Sequence, residues 1–220
     1  MITPEIKQKI IDKFTFVDEK GHALISPFIV SREKKVLYFH IAKTGGSSID
    51  ALLTKNGLND HVLDNLHIDY KKRKEYFAEV VEEWDEYYKF TFIRNKYDLL
   101  VSLYHHDYVA PLNRCSFKDF LNIHVKEKSP LYPHYDFWID QHFLTTIDDQ
   151  IIFDFIGRFE NYHEDMATVC KRIEIPYEDV RKNLGRYDKN KKYDSYYTPE
   201  LKGVVDTKFA KEIGYFNWSD

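Results

Sequence analysis

The sequence predicts an α/β domain, a central and mainly parallel sheet covered by helices on both faces, and three observations lead there. Short runs rich in β-branched and aromatic residues, at 36–41, 87–93 and 151–156, read as buried strands. Stretches of helical apolar spacing lie between them, and strands alternating with helices form parallel sheets with both faces covered. The chain of 220 residues is long enough for one such domain with a substantial core and short for two. The expectation is a single domain over 1–220, with a peripheral N-terminal helix over 1–15.

Each element has its own local reason. MITPEIKQKIIDKF is an amphipathic helix with Thr3 as N-cap and Pro4 in the first turn. His22–Val30 is a strand-like approach to the central strand. The helix after that strand ends near Lys55-Asn56-Gly57, where glycine suits a C-terminal cap. Tyr70–Glu83 places Tyr76, Phe77, Val80 and Val81 on one helical face. Tyr87–Ile93 is the second strand, and the helix Tyr97–Val109 follows it and stops before Pro111. Ser116 caps a helix to Lys128, and a short helix lies around Phe137–Leu144. The third strand, Ile151–Ile156, is bounded by Gly157, and Glu160–Ile173 is helical. A long polar loop, Glu174–Tyr197, leads to Thr198-Pro199, which opens the last helix, to about Ile213.

Composition limits the partners. The chain is 43% hydrophobic and 31% charged, with a net charge of −4 that does not favour nucleic acid or another polyanion. Positive charge is local, at Lys71-Lys72-Arg73-Lys74 and Lys189-Asn190-Lys191-Lys192. No apolar run approaches the roughly 20 residues of a membrane span, and the N-terminal stretch lacks a signal-peptide core. Cys115 and Cys170 offer no disulfide framework and no metal spacing, so both are expected to be buried thiols. A soluble protein without a metal requirement is expected; its oligomeric state stays open.

The most informative stretch is KKVLYFHIAKTGGSSIDALL, residues 34–53. A strand runs into Lys43-Thr44-Gly45-Gly46-Ser47-Ser48 and then into a helix. That order aims backbone N–H groups and a helix N-terminus at one point, an anion site. Gly45 and Gly46 permit a tight turn and close approach of a phosphate, Ser47 or Ser48 can cap the helix, and Lys43 adds a full charge. This is not the nucleotide loop G-x-x-x-x-G-K-[ST], because the lysine precedes the glycines. The stretch resembles the phosphosulfate loop of sulfotransferases that use 3′-phosphoadenosine-5′-phosphosulfate (PAPS), above all the carbohydrate O-sulfotransferase branch, roughly P-K-T-x-[GS]-[ST]-S. Ala42 stands where that branch has proline.

A second stretch, Phe90–Tyr104, puts Arg94 at the carboxyl end of a strand and Ser102 on the following helix. A guanidinium fork and a hydroxyl converging there can hold a phosphate. It resembles the family's 3′-phosphate motif, roughly F-x-F-x-R-[ND]-P-x-x-R-x-x-S-x-Y, with Arg94, Ser102 and Tyr104 in place. Lys96 replaces the usual proline and Leu99 the usual second arginine. Phe153–Asn161 and the ending at Tyr196–Leu201 also resemble the family, so the likeness covers most of the chain from Val36 onward.

The resemblance implies a P-loop-like sulfotransferase fold and sulfuryl transfer from PAPS to a hydroxyl acceptor, a saccharide in the heparan-type 2-O/6-O branch, with adenosine 3′,5′-bisphosphate as product. Lys43, Thr44, Gly45, Gly46, Ser47, Ser48, Arg94 and Ser102 would bind the cofactor, and Lys43 would also be catalytic. Leu66-His67-Ile68-Asp69-Tyr70 resembles the stretch holding the catalytic histidine of heparan 6-O-sulfotransferases, which makes His67 the general base; His105, His106, His134 and His142 compete. The resemblance further implies a bacterial or viral cytoplasmic enzyme, or a Golgi-lumenal one shorn of its anchor. The rival functions are a P-loop-type kinase of a small molecule and a non-catalytic nucleotide-binding module.

Overall fold

The computed structural model of the protein describes residues 1–17, 23–25, 28–60, 70–106, 115–126, 139–180 and 192–218. His67, His134 and the basic run at 189–191 lie outside the described residues. Within them the fold is mixed α/β. Its helices are α1 (Pro4–Phe14), α2 (Gly46–Lys55), α3 (Tyr70–Glu82), α4 (Lys96–Tyr104), α5 (Phe117–Leu121), α6 (Gln141–Thr145), α7 (Tyr162–Arg172), α8 (Pro199–Lys208) and α9 (Ala210–Phe216). Its strands are β1 (Thr15–Val17), β2 (Ala23–Ile25), β3 (Phe28–Ser31), β4 (Val36–Phe39), β5 (Tyr88–Ile93), β6 (Thr146–Ile147), β7 (Gln150–Ile151) and β8 (Phe155–Arg158).

The central sheet has four strands in the order β3-β4-β5-β8. β4, β5 and β8 are parallel, and β3 pairs antiparallel with β4 through the turn at residues 32–35. Side chains alternate across this sheet, so each face takes its own core. Leu37 and Phe39 point into one layer with Phe28, Phe77, Val80, Val81 and Trp84. Tyr38, Phe90 and Phe92 point into the other, against Ile49, Leu52 and Leu53 of α2 and Met166, Val169 and Cys170 of α7. The N-terminal helix, expected at the periphery, lays Ile10, Ile11 and Phe14 into the first layer against α3, because its amphipathic stripe meets that helix. Thr3 caps it and Pro4 opens it, as expected from the sequence. A third cluster joins α4, α5 and α8.

Several boundaries differ from expectation. The third strand lies at Phe155–Arg158, not at 151–156. Ile151 instead closes a tight hairpin, β6–β7, whose turn residues Asp148 and Asp149 both take positive φ, and Ile152 and Phe153 are buried as a plug in the first layer. The helix expected from Ser116 to Lys128 is α for Phe117–Leu121 and continues as a π turn over Asn122–Lys126. The last helix is broken at Phe209 into α8 and α9. Cys170 is buried, and burial pushes its thiol up to about 11, whereas Cys115 is only half-buried.

Candidate active site

Parallel pairing sets the carboxyl ends of β4, β5 and β8 side by side, since Phe39 pairs with Thr91 and Ile93 with Arg158. The chain leaving β4 carries the anion loop, and the chain leaving β5 carries Arg94. Open α/β sheets bind ligands at this edge. Lys43 takes a left-handed conformation, φ 66°, and Gly45 another, φ 89°, so the loop turns back sharply before α2 begins. Thr44 is fully buried, and its Oγ1 donates to the Ile41 carbonyl at 2.8 Å, which pins the loop to the end of β4. Gly45 is the N-cap of α2 without any side-chain cap, whereas serine capping was expected; Ser47 and Ser48 sit in the first turn instead. The first N–H groups of an α-helix have no intrahelical acceptor, and the helix dipole adds positive potential there.

Both glycines are dictated by close neighbours. A Cβ on Gly45 would come within 3.0 Å of the Tyr162 ring, in a conformation L side chains rarely adopt. A Cβ on Gly46 would sit 2.0 Å from the His40 ring. His40 leaves the end of β4, its Nδ1 3.0 Å from Asp50 Oδ2 on α2. Sequence reasoning passed over His40; the available signal was its position two residues after Tyr38, on the same side of the strand direction as α2.

Arg94 joins the two motifs physically. Its Nη1 donates to the Lys43 carbonyl at 2.9 Å, its Nε to Asp98 Oδ2 at 2.7 Å, and its guanidinium lies 4.1 Å over the Phe159 ring. Two of the five guanidinium donors are thereby used among the described residues. Gln141 clamps the Arg94 main chain from both sides: its Oε1 accepts from Arg94 N at 2.7 Å and its Nε2 donates to Arg94 O at 2.8 Å. Glu212 on α9 accepts from both the Gln141 side chain, at 2.7 Å, and its backbone N–H, at 2.8 Å. Lys96 is fully buried, 2.9 Å from the same carboxylate, with its ammonium also bonded to the Ile139 carbonyl. The departure from proline at 96 thus supplies the charge that neutralises Glu212. Leu99, where the family has a second arginine, is a core residue beside Phe120 and Val205.

Asn95 caps α4 through its side chain, and its own N–H donates to Glu160 Oε1 at 2.6 Å. Ser102 is half-buried on α4. Among the competing histidines, His105 bonds Tyr196 Oη at 2.9 Å. His142 is buried against the Tyr215 ring and 3.5 Å from Asp149, in surroundings supplied by the hairpin and α9, not by the anion loop. Lys71 and Lys72 are exposed on α3.

The chain matches the model of the sulfotransferase family over residues 26–212. It is similar to an uncharacterized protein of Archaeoglobus fulgidus, 33% identical over 112 residues that cover 50% of this chain and 87% of that protein. No solved structure matches it significantly. No helix among the described residues is long and apolar enough to cross a membrane. The anion loop and the Arg94 turn, meeting at one sheet edge, both fall inside the matched span, and the chain belongs to the sulfotransferase family.

Proposed function

We propose that this sulfotransferase moves the sulfuryl group of PAPS onto a hydroxyl of a carbohydrate or glycoconjugate. The observation that carries the reading is the 2.9 Å bond from Arg94 to the Lys43 carbonyl, which ties the 3′-phosphate motif to the phosphosulfate loop. A nucleotide that is anionic at both its 3′ and 5′ ends needs cationic groups from two loops on one edge, and Lys43 and Arg94 meet that need. The first N–H groups of α2, which begins right after Gly45, lack intrahelical acceptors and suit an anion at the helix N-terminus.

When bound, PAPS supplies the sulfuryl group and leaves as adenosine 3′,5′-bisphosphate. Lys43 and the first amides of α2 stabilise the negative charge that grows on the 5′ side, where fixed donors act without reorganisation. Arg94 and Ser102 hold the 3′-phosphate by charge-assisted hydrogen bonds. His67 takes the proton of the acceptor hydroxyl and makes its oxygen a better nucleophile. That role rests on the likeness of Leu66–Tyr70 to the catalytic stretch of the 6-O branch.

Thermal shift with adenosine 3′,5′-bisphosphate and with ATP–Mg²⁺, followed by transfer of labelled sulfate to a panel of hydroxylated acceptors, tests the reading. Stabilisation by the bisphosphate and labelling of a saccharide are expected. Stabilisation by ATP–Mg²⁺ alone would support a kinase, and bisphosphate binding without any labelling would support a binding module.

A further inference from the structure

We propose that His40, paired with Asp50 against Gly46, is a proton-controlled counter-charge that sets how tightly the loop holds its anionic ligand. The inference rests on the cofactor reading above. His40 does not touch the reacting groups in this scheme; it is a positioning residue acting through Gly46 and Asp50.

The geometry makes the pair part of the anion site. The His40 ring occupies the space where any side chain on Gly46 would lie, so it is in van der Waals contact with the first residue of α2. Asp50, in the second turn of the same helix, receives His40 Nδ1 at 3.0 Å. Its other oxygen, Oδ1, is buried and has no hydrogen-bond partner among the described residues. A carboxylate this near a helix N-terminus repels an anion that the helix would otherwise attract. A protonated His40 cancels that repulsion, and a neutral His40 leaves it in place.

Among the described residues, the titratable groups near the ring are these. Tyr38, on the same face of β4, is stacked 6.2 Å away and fully buried, and burial holds its hydroxyl proton far above the ordinary range. Tyr162 of α7, which packs on Gly45, is likewise raised by burial and stays neutral. His163, on the same helix, bonds Tyr177 Oη at 2.6 Å. Among the described residues, Lys43 of the loop and Arg94, which donates to the Lys43 carbonyl, are cations on this side. Histidine is the side chain whose charge changes between about pH 5 and 8. Because coupling is reciprocal, an anion that prefers protonated His40 also makes His40 hold its proton more firmly. Affinity therefore falls as pH rises.

The experiment is calorimetric titration of adenosine 3′,5′-bisphosphate into the wild type, His40→Asn and Asp50→Asn across about pH 5.5–8.5, the range in which histidine changes charge. Asparagine at 40 keeps a donor for Asp50 and cannot be protonated, and the ligand's own titration is common to all three proteins. The wild type is expected to bind about tenfold more tightly than His40→Asn at the acid end, and equally at the alkaline end. Asp50→Asn is expected to bind about threefold to tenfold more tightly than the wild type at the alkaline end, because the repulsion is gone. A wild-type to His40→Asn ratio that is constant with pH, or weaker binding by Asp50→Asn at high pH, overturns the inference and leaves the cofactor reading intact. No binding by any of the three proteins overturns both. Should His40→Asn fail to fold, Asp50→Asn alone decides.

Discussion

Replacing Arg94 by alanine should do two things at once, and the structure says how large the first is. The side chain is 9% exposed and pairs with Asp98, itself 16% exposed, so solvent screens this ion pair little. It also donates to the Lys43 carbonyl at 2.9 Å and covers Phe159. Removing one partner of a buried pair costs about 3–5 kcal/mol, most of it from the carboxylate left behind. At about 2–4 °C per kcal/mol for a chain of this size, the melting temperature should drop by roughly 6–20 °C. The second effect concerns the ligand. A charge-assisted bond is worth about 1.5–3 kcal/mol, so the preference for adenosine 3′,5′-bisphosphate over adenosine 5′-monophosphate should fall by one to two orders of magnitude per bond lost. Thermal melts give the first number, and calorimetry with the two nucleotides, below the lowered melting temperature, gives the second. A variant that melts like the wild type would show that the Asp98 and Lys43 contacts contribute nothing. A nucleotide preference that survives would remove Arg94 from the 3′-phosphate site.

Lys43→Ala should slow sulfate transfer by about 10²–10³-fold while weakening bisphosphate binding much less, since the charge matters most as the 5′ phosphate becomes the leaving group; a normal turnover rate rules it out of the mechanism. His67→Ala should lose about 10²–10⁴-fold in rate and still bind the bisphosphate. Because the base must be neutral, wild-type activity should rise with pH through about 6.5, the ordinary histidine value, and this acid limb should vanish in the variant. If His105→Ala, His106→Ala, His134→Ala or His142→Ala abolishes turnover instead, the base lies there. Should the basic runs at 71–74 and 189–192 line the acceptor groove, sulfation of an anionic glycan would fall steeply with salt and that of a neutral acceptor would not; parallel salt profiles would make them ordinary solvated surface.

What the sequence revealed, and what it hid, follows the range of the interactions involved. The two turns at the sheet edge were legible because their causes are local: a β-branched strand, then two glycines or an arginine, then a helix start. Ile151–Ile156 misled for the opposite reason. Its apolar run looks like a strand, but Asp154 accepts from the Lys89 N–H at 2.8 Å and bonds the Lys89 ammonium, which starts pairing only at Phe155. Gln141 and Glu212 were invisible as site residues, because Gln141 meets Arg94 across 47 residues of chain and Glu212 meets Gln141 across 71. Lys96 looked like a defect in a motif until its buried carboxylate partner was seen. His40 was hidden because its partner Asp50 lies ten residues on, across the turn.

The clamp on Arg94 also has a consequence for how the protein is made. Gln141 grips the Arg94 main chain, yet Gln141 is itself held by Glu212, and Glu212 shares its charge with Lys96. While a ribosome has not yet released residue 212, Lys96 has no counter-ion and no favourable reason to leave water. The turn at Arg94 would then settle only after synthesis has passed α9, although its own residues emerge much earlier. A nascent chain stalled before that point could carry the whole anion loop and still lack a grip on a 3′-phosphate, so that nucleotide binding would report completion of the C-terminal helices.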